Sequence, residues 1–408
     1  MHVALISPAW PLDKYPNGIV TYVHWMREAL RGAGHQVSVF CVALEQAEEG
    51  VYQVKPGLLF RFQSWLSTTL RTDPFFWVLR WGRVYASAIR AVHAREPIDV
   101  VEMEESFGWF DDVARETDIP VVVKLHGPAF MSLVDEELES PFGVARIRKE
   151  GSALARHAVL TSPARYTLEQ TVAHYGLKPA VRQHIVNPLA LPPSASVWDL
   201  SSCDRKTILF VGRFDKRKGG DLALIAFAKL LGRYPDLTLT FVGPDAGIPG
   251  DNGALEHFDQ VCARLFSIDQ MARIHFKGKL QPEQIYALRT QALLTVVASR
   301  WENQSYTALE AMLQGCPLVS SDAGGQAEIV AHGVTGLLAR AGSADDLHDK
   351  IESLLLDHEL AASLGRAARL YALDQHGPAR VMRETMAVYD DAIARSASKR
   401  AMPDPQAA

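Results

Sequence analysis

The sequence predicts an α/β protein made of two successive doubly wound domains. Three observations carry this. Short apolar runs alternate with amphipathic stretches along most of the chain. The alternation starts afresh after a proline- and serine-bearing stretch at 191–204. The chain of 408 residues is also longer than one hydrophobic core usually serves. The expected division is a first domain over 1–190, a linker over 191–204 and a second domain over 205–377. A helix over 378–395 and a flexible tail over 396–408 complete it.

Taken in order, Val3–Ser7 reads as a buried strand, and Pro8–Gly18 as a loop. A helix follows with Val23, Met26 and Leu30 on one side, closed by Gly32 and Gly34. Val37–Val42 is the next strand, which completes one βαβ unit. Gly18 lies where loop meets helix, a place where backbone can approach a phosphate. Asp99–Met103 is a strand running into Glu102, Glu104 and Glu105, and Val121–Leu125 runs into His126-Gly127-Pro128. Ligands of open α/β sheets gather beyond the carboxyl ends of strands, so these residues fall in the right zone. A histidine at such a place also serves as an ordinary hydrogen-bonding group. Ala158–Ser162 and Ile185–Asn187 continue the strand pattern.

In the second half, Thr207–Val211 leads into Gly212-Arg213-Phe214-Asp215-Lys216-Arg217-Lys218-Gly219-Gly220 and a helix over about Leu222–Leu231. Three glycines around four basic residues at a strand-to-helix turn suit a diphosphate; a solvated basic turn is the plainer alternative. The spacing is neither that of a P-loop nor that of a dinucleotide fingerprint. Leu237–Val242, Ile274–Phe276, Leu294–Ala298 and Leu318–Ser320 are further strands, with 244–256 as a surface loop. After Leu294–Ala298 come Glu302 and Glu310, eight positions apart. Ser305 is placed to cap a helix with Leu309, Met312 and Leu313 inside and Gly315 at its end. Glu310 lies off that apolar stripe. Glu302 lies beside the N–H groups of Asn303, Gln304 and Ser305, which read as an anion site. Ser343–Leu364 reads as one helix, and a last helix spans about Ala379–Ala394.

Composition narrows the field. A hydrophobic content of 48% supports large cores, and a net charge of −5 argues against nucleic-acid binding through bulk charge. Cys41, Cys203, Cys262 and Cys316 are dispersed, as expected of reduced thiols without a metal. The start of the chain reads as a strand and not a signal peptide, and no run is long enough to span a bilayer. The expected location is the cytoplasm. Residues 58–85 mix seven aromatic residues, from Phe60 to Trp81, with Arg61, Arg71, Arg80 and Arg83. That mix suits weak peripheral contact with an anionic membrane, while a helix packed under a lobe with its arginines in solvent accounts for it as well.

Three features coincide in the second half: GRFDKRKGG, the Glu302/Glu310 spacing within WENQSYTALEAMLQGCPLVSSDAGGQAEIV, and its closing GGQAEIV. With Gly18 and His126, this resembles the retaining glycosyltransferases of family 4 over nearly the whole chain. The resemblance implies the GT-B fold: two Rossmann-like domains facing across a cleft, with a C-terminal helix returning to the first. It implies that Arg213 and Lys218 bind the donor diphosphate, Glu310 the ribose, and Glu302 the donor sugar, with Asn303, Gln304 and Ser305 near sugar and phosphate. Gly18 would approach the phosphate, His126 the reacting face of the sugar, and the loop of Lys277, Gly278, Lys279 and Leu280 the base. His126, Glu302, Arg213 and Lys218 form the expected catalytic set, and Glu102 and Glu104 the expected acceptor contacts. Asn17-Gly18 stands where the family carries two glycines, and Asn303-Gln304-Ser305 and Asn187-Pro188 also depart from it. These departures bear on which sugar is carried.

The implied reaction is transfer of a hexose from a UDP- or GDP-sugar to a hydroxyl of a glycan, lipid-linked or small-molecule acceptor, with retention. Charge grows on the departing diphosphate, and one cation about 4 Å away is worth roughly 4 kcal/mol at an effective dielectric of about 20. The acceptor would attack on the face the leaving group departs, with a diphosphate oxygen taking its proton. No Asp-x-Asp appears, so neither metal nor other cofactor is expected. An NDP-sugar epimerase on the same fold and a non-catalytic sugar-nucleotide binder are the alternatives.

Overall fold

The computed structural model describes residues 1–401 except 16, 70–74, 134, 158, 192–194 and 251–252. The chain divides into two compact units, Met1–Pro188 with Pro378–Ala408, and Leu189–Gly377.

The first unit is built on β1 (His2–Trp10), β2 (Gln36–Leu44), β3 (Val51–Gln53), β4 (Val100–Glu104), β5 (Val121–Lys124), β6 (Val159–Ser162) and β7 (Val181–His184). They form one seven-stranded sheet in the order β3-β2-β1-β4-β5-β6-β7. Every pairing is parallel. The apolar runs of β1, β4 and β5 are buried on both faces, which is why they read as continuous and not alternating. The first helix, Gly18–Gly32, is capped by Asn17, whose side chain accepts the Ile19 N–H at 2.8 Å. The helix Pro378–Ala401 packs on that helix and on β4 and β5.

The second unit holds β8 (Asp204–Val211), β9 (Thr238–Val242), β10 (Ile248–Pro249), β11 (Leu255–Glu256), β12 (Ile274–Phe276), β13 (Ala292–Val297), β14 (Leu318–Ser321) and β15 (Leu337–Ala339). Its main sheet has six strands in the order β12-β9-β8-β13-β14-β15. These strands are parallel too. Phe210, Phe214, Phe227, Phe241 and Phe258 anchor its core. In each sheet the chain winds outward in both directions from a central pair, β1 with β4 and β8 with β13. The carboxyl ends of those pairs are the switch points where doubly wound sheets bind ligands.

Several expectations need correction. Ile185–Asn187 follow β7 and are not part of it. The 244–256 loop contains the small antiparallel pair β10–β11. The single helix expected over 343–364 is two, Ala344–Leu356 and His358–Gln375. The Asp357 side chain accepts the Leu360 N–H at 2.9 Å and caps the second of them. The last helix runs to Ala401, past the expected start of a flexible tail, and residues 402–408 of that tail lie outside the described residues. The 58–85 stretch is helical over Leu58–Thr69, Phe76–Leu79 and Trp81–His93, and Arg71 lies outside the described residues. Cys41, Cys262 and Cys316 are buried free thiols, while Cys203 is only half-buried.

Gly219 shows how tightly the second unit is drawn at its switch point. Its φ is +68°, and a Cβ there would lie 2.0 Å from the Ala298 carbonyl oxygen. Gly219→Ala is therefore expected to lower stability by more than about 1 kcal/mol, read as a lower urea midpoint with unchanged slope.

Candidate active site

In the second unit, the basic turn between β8 and the helix Gly220–Arg233 is held by a buried aromatic. Phe214 is fully buried against Phe241 and Phe258, and its N–H donates to the Pro244 carbonyl at 2.9 Å. Asp215 then sorts the charges on either side. One of its oxygens accepts the Lys218 N–H at 2.6 Å, and the other pairs with the Arg213 guanidinium at 2.8 Å. Arg213 stays exposed. Lys218 turns the other way, and its ammonium pairs with the Glu302 carboxylate just past the end of β13. Arg300 locks the turn from below with two bonds to Asp221, at 2.8 and 2.6 Å, and one to the Lys216 carbonyl at 2.6 Å.

Glu302 is buried, and the Ser299 hydroxyl donates to it at 2.8 Å. Burial works to raise its pKa, but Lys218 and Arg217 outweigh that and hold the carboxyl below its ordinary value. The Gly324-Gly325 turn closes over its backbone. The Gly325 N–H donates to the Glu302 carbonyl at 2.9 Å, and a Cβ on Gly324, whose φ is +59°, would lie 2.2 Å from that oxygen. Ser305 caps the helix Tyr306–Gln314, and Gly315 ends it in the left-handed region. Asn303 and Gln304 are buried beside it. The Ser305 N–H, expected to face an anion, instead donates to the buried Gln326 side chain at 3.1 Å. Gln326 enters the fold just after the two glycines and reaches back across the turn, which removes that group from the anion site.

Glu310 stands on the outer side of its helix and binds Arg289, a fully buried residue of the helix Pro282–Gln291, at 2.9 Å. The other end of the guanidinium donates to Gln314 at 2.9 Å. Gln314 in turn donates to the carbonyls of Ser196 and Tyr286, both at 3.0 Å, and its own carbonyl accepts the Trp198 N–H at 2.8 Å. Past β12, the Gly278 carbonyl accepts the Gly243 N–H at 2.8 Å, so the 277–280 loop lies beside the end of β9. Lys279 there is exposed, whereas Leu280 packs inward against Leu209, Val242 and Ala292.

In the first unit, Gly18 is exposed at the start of its helix, beyond the end of β1. The turn after β5 is clamped by two buried carboxylates. Glu105 accepts the N–H groups of His126 and Gly127 at 2.7 and 2.6 Å, and Glu150 those of Phe107 and Ala129 at 2.9 and 2.8 Å. Burial and the neighbouring Glu150 push Glu105 up to about 8, against the pull of its two donors. The His126 ring stacks edge-on to Tyr22 at 5.1 Å. Burial, then the Lys124 ammonium, push it down to about 3, so the imidazole is neutral near pH 7. Glu102 and Glu104, expected to face an acceptor, are buried at 3% and 5% exposure. Glu102 accepts the Tyr22 hydroxyl at 2.6 Å and faces Lys124 and Tyr389. Lys124 donates to the Ile185 carbonyl at 3.1 Å. Alternation along β4 turns both glutamates to the same side, into the layer beneath the turn, and leaves the Glu104 Oε2 without a hydrogen-bond partner among the described residues.

Two family matches divide the chain between them. Residues 17–188 match the glycosyl transferase 4-like domain, and residues 200–371 match glycosyl transferases group 1. The chain is a group 1 glycosyltransferase. It is 27% identical over 397 residues to a D-inositol 3-phosphate glycosyltransferase of Kribbella flavida, with 90% of each chain covered. Sucrose-phosphate synthase from Thermosynechococcus elongatus superposes with a TM-score of 0.75 at 20% identity, covering 97% of this chain and 99% of that one. Anabaena HepE in complex with UDP-glucose does so with a TM-score of 0.67 at 17% identity, covering 98% and 100%. These neighbours have the GT-B fold, which this glycosyltransferase shares.

Sequence reasoning placed Glu105 in the right zone without a role, and missed the parts played by Lys124, Arg289 and Gln326. Lys124 had a signal, a lone charge inside an apolar strand. Arg289 had none, because a charged residue on an amphipathic helix ordinarily faces water. Arg289→Met leaves Glu310 and Gln314 without their donor and is expected to cost this glycosyltransferase about 3 kcal/mol. Arg289→Met with Glu310→Gln is expected to lose less than the two single effects together, measured by urea unfolding. Burial pushes Glu104 up to about 7. The unfolded value is about 4.3, so the native state holds a proton that the unfolded chain releases, and stability falls as pH rises through that window. Glu104→Gln is expected to match the wild type near pH 4 and to exceed it near pH 8 by roughly 1–3 kcal/mol, read from denaturation at each pH.

Proposed function

We propose that this glycosyltransferase moves a hexose from a UDP- or GDP-sugar to a hydroxyl of a carbohydrate, lipid-linked or small-molecule acceptor, with retention and without a metal. What carries the reading is the Lys218 ammonium held on the Glu302 carboxylate where β8 and β13 end side by side. Lys218 has three N–H donors, so a second anion fits beside the carboxylate. In this reading Arg213 and Lys218 meet the diphosphate and stabilise it as it leaves, and Glu302 holds sugar hydroxyls. Glu310 holds the ribose, and Lys279 stands near the base. Asn303 and Gln304 border the sugar. On the first unit, the exposed Gly18 at the Asn17-capped start of its helix would approach phosphate, and the neutral His126 ring serves the sugar as a hydrogen-bonding group.

The acceptor hydroxyl attacks from the side on which the diphosphate leaves, and a diphosphate oxygen takes its proton. Catalysis is then stabilisation of charge by preorganised groups. The UDP-glucose bound by HepE supports a uridine donor. Relatives named for D-inositol 3-phosphate support a small polyol phosphate within the acceptor class.

Lys218→Ala is expected to lower kcat about 10²–10³-fold while the thermal midpoint shows a folded protein. Proton NMR of the product should show the donor's anomeric configuration, and a chelator should leave the rate unchanged. Full turnover by Lys218→Ala, an inverted product, or an epimerised sugar nucleotide formed without acceptor would each overturn part of the reading.

A further inference from the structure

The helix Leu58–Thr69 is turned inside out relative to an ordinary surface helix. Its outer side carries Leu58, Leu59, Phe62, Trp65 and Leu66, which are 85%, 69%, 57%, 62% and 40% exposed. At 100° per residue these five fall within one arc of roughly 120°. Phe62 and Trp65 lie together on it, with ring centroids 6.0 Å apart. The inner side holds Phe60, packed edge-on to Trp81 at 6.3 Å, and the buried Ser64. A monomeric soluble surface rarely presents five large apolar side chains on one face, so such a face needs a partner.

Charge identifies the partner. The chain as a whole carries −5, yet residues 51–95 contain seven Lys and Arg against one Asp. Arg61 stands exposed at one border of the apolar arc, and Lys55 is exposed just before the helix. On the helix Trp81–His93, Arg83 and Arg90 are half-exposed and share one carboxylate, Glu116, at 3.9 and 3.5 Å. An apolar face bordered by the exposed Arg61 and Lys55, in a stretch rich in Lys and Arg within an otherwise acidic protein, is complementary to an anionic bilayer. Apolar side chains enter the acyl boundary while the cations stay at the headgroups. A second copy of this chain would place those cations against each other and fits the charge less well. Among the described residues no helix is long and apolar enough to cross a membrane, so the contact is peripheral.

We propose that the helix Leu58–Thr69 lies in the interface of an anionic membrane, with Leu58, Leu59, Phe62, Trp65 and Leu66 in the lipid and Lys55 and Arg61 at the headgroups. Docking there holds the enzyme at a surface, a function separate from sugar transfer and independent of the donor assignment.

The test is co-sedimentation of the full chain with vesicles of phosphatidylcholine alone and of phosphatidylcholine with phosphatidylglycerol, at low and raised salt. The wild type is expected to sediment with the phosphatidylglycerol vesicles and to be released in part by salt. Phe62→Ser with Trp65→Ser should lower that partition by more than about tenfold, and Arg61→Glu should weaken it for the anionic vesicles only. All variants should keep the wild-type thermal midpoint, because the substituted side chains are exposed. Absence of binding to phosphatidylglycerol vesicles at low salt, or equal binding by the double variant, overturns the proposal. So does a concentration-dependent dimer that the double variant abolishes, since it assigns the face to a second copy.

Discussion

The contact on which the second unit's site depends is the Lys218 ammonium against the Glu302 carboxylate. The two residues are 84 apart in sequence and meet because β8 and β13 are neighbours in the sheet. At that pair of strands the chain winds away in opposite directions. The loops beyond their ends therefore diverge, and side chains rather than backbone must fill the space. Everything nearby serves that contact. Phe214 and Arg300 fix the basic turn, Asp215 sends Arg213 and Lys218 to different sides, and the Gly324-Gly325 turn seats the Glu302 backbone. A buried carboxylate without its cation is costly, so this arrangement keeps its charge only while the turn keeps its shape.

The first unit solves a related problem with buried carboxyl groups, one of which, Glu150, is paired with Arg146 at 2.9 Å. Its β5 turn is held by Glu105 and Glu150, each accepting two backbone N–H groups. Carboxylates used this way replace the hydrogen bonds that a regular element would have supplied. They fix the backbone of His126 and leave its ring to pack on Tyr22. The buried Lys124 and Glu102 lie just beneath, tied to the last helix through Tyr389.

Much of this was legible in the chain. The central strands of both sheets followed from apolar runs, because parallel strands buried on two faces leave an unbroken signature, whereas the short edge strands β3 and β15 were not foreseen and β7 lies ahead of its expected place. The Glu302 helix was readable from its cap at Ser305 to its end at Gly315, since capping chemistry is local. What escaped were the contacts that only the packed chain creates. Nothing local to Ser305 shows that Gln326, 21 residues on, takes its N–H. Nothing local to Glu102 and Glu104 distinguishes carboxylates turned into the layer from carboxylates facing out. The break at Asp357 was also hidden, because both helices keep their apolar stripes across it and only the capping bond at Leu360 reveals the stop.

Gln314 carries a consequence for redesign. Its side chain joins the Arg289 guanidinium to the carbonyls of Ser196 and Tyr286, and its backbone receives Trp198. Glu310 is aimed by that same guanidinium. A library that varied position 310 alone would therefore leave the buried Arg289 without its carboxylate in most members and explore few folded ones. Positions 289, 310 and 314 are joined through their side chains and need to be varied together, while 196, 198 and 286 enter through backbone groups alone.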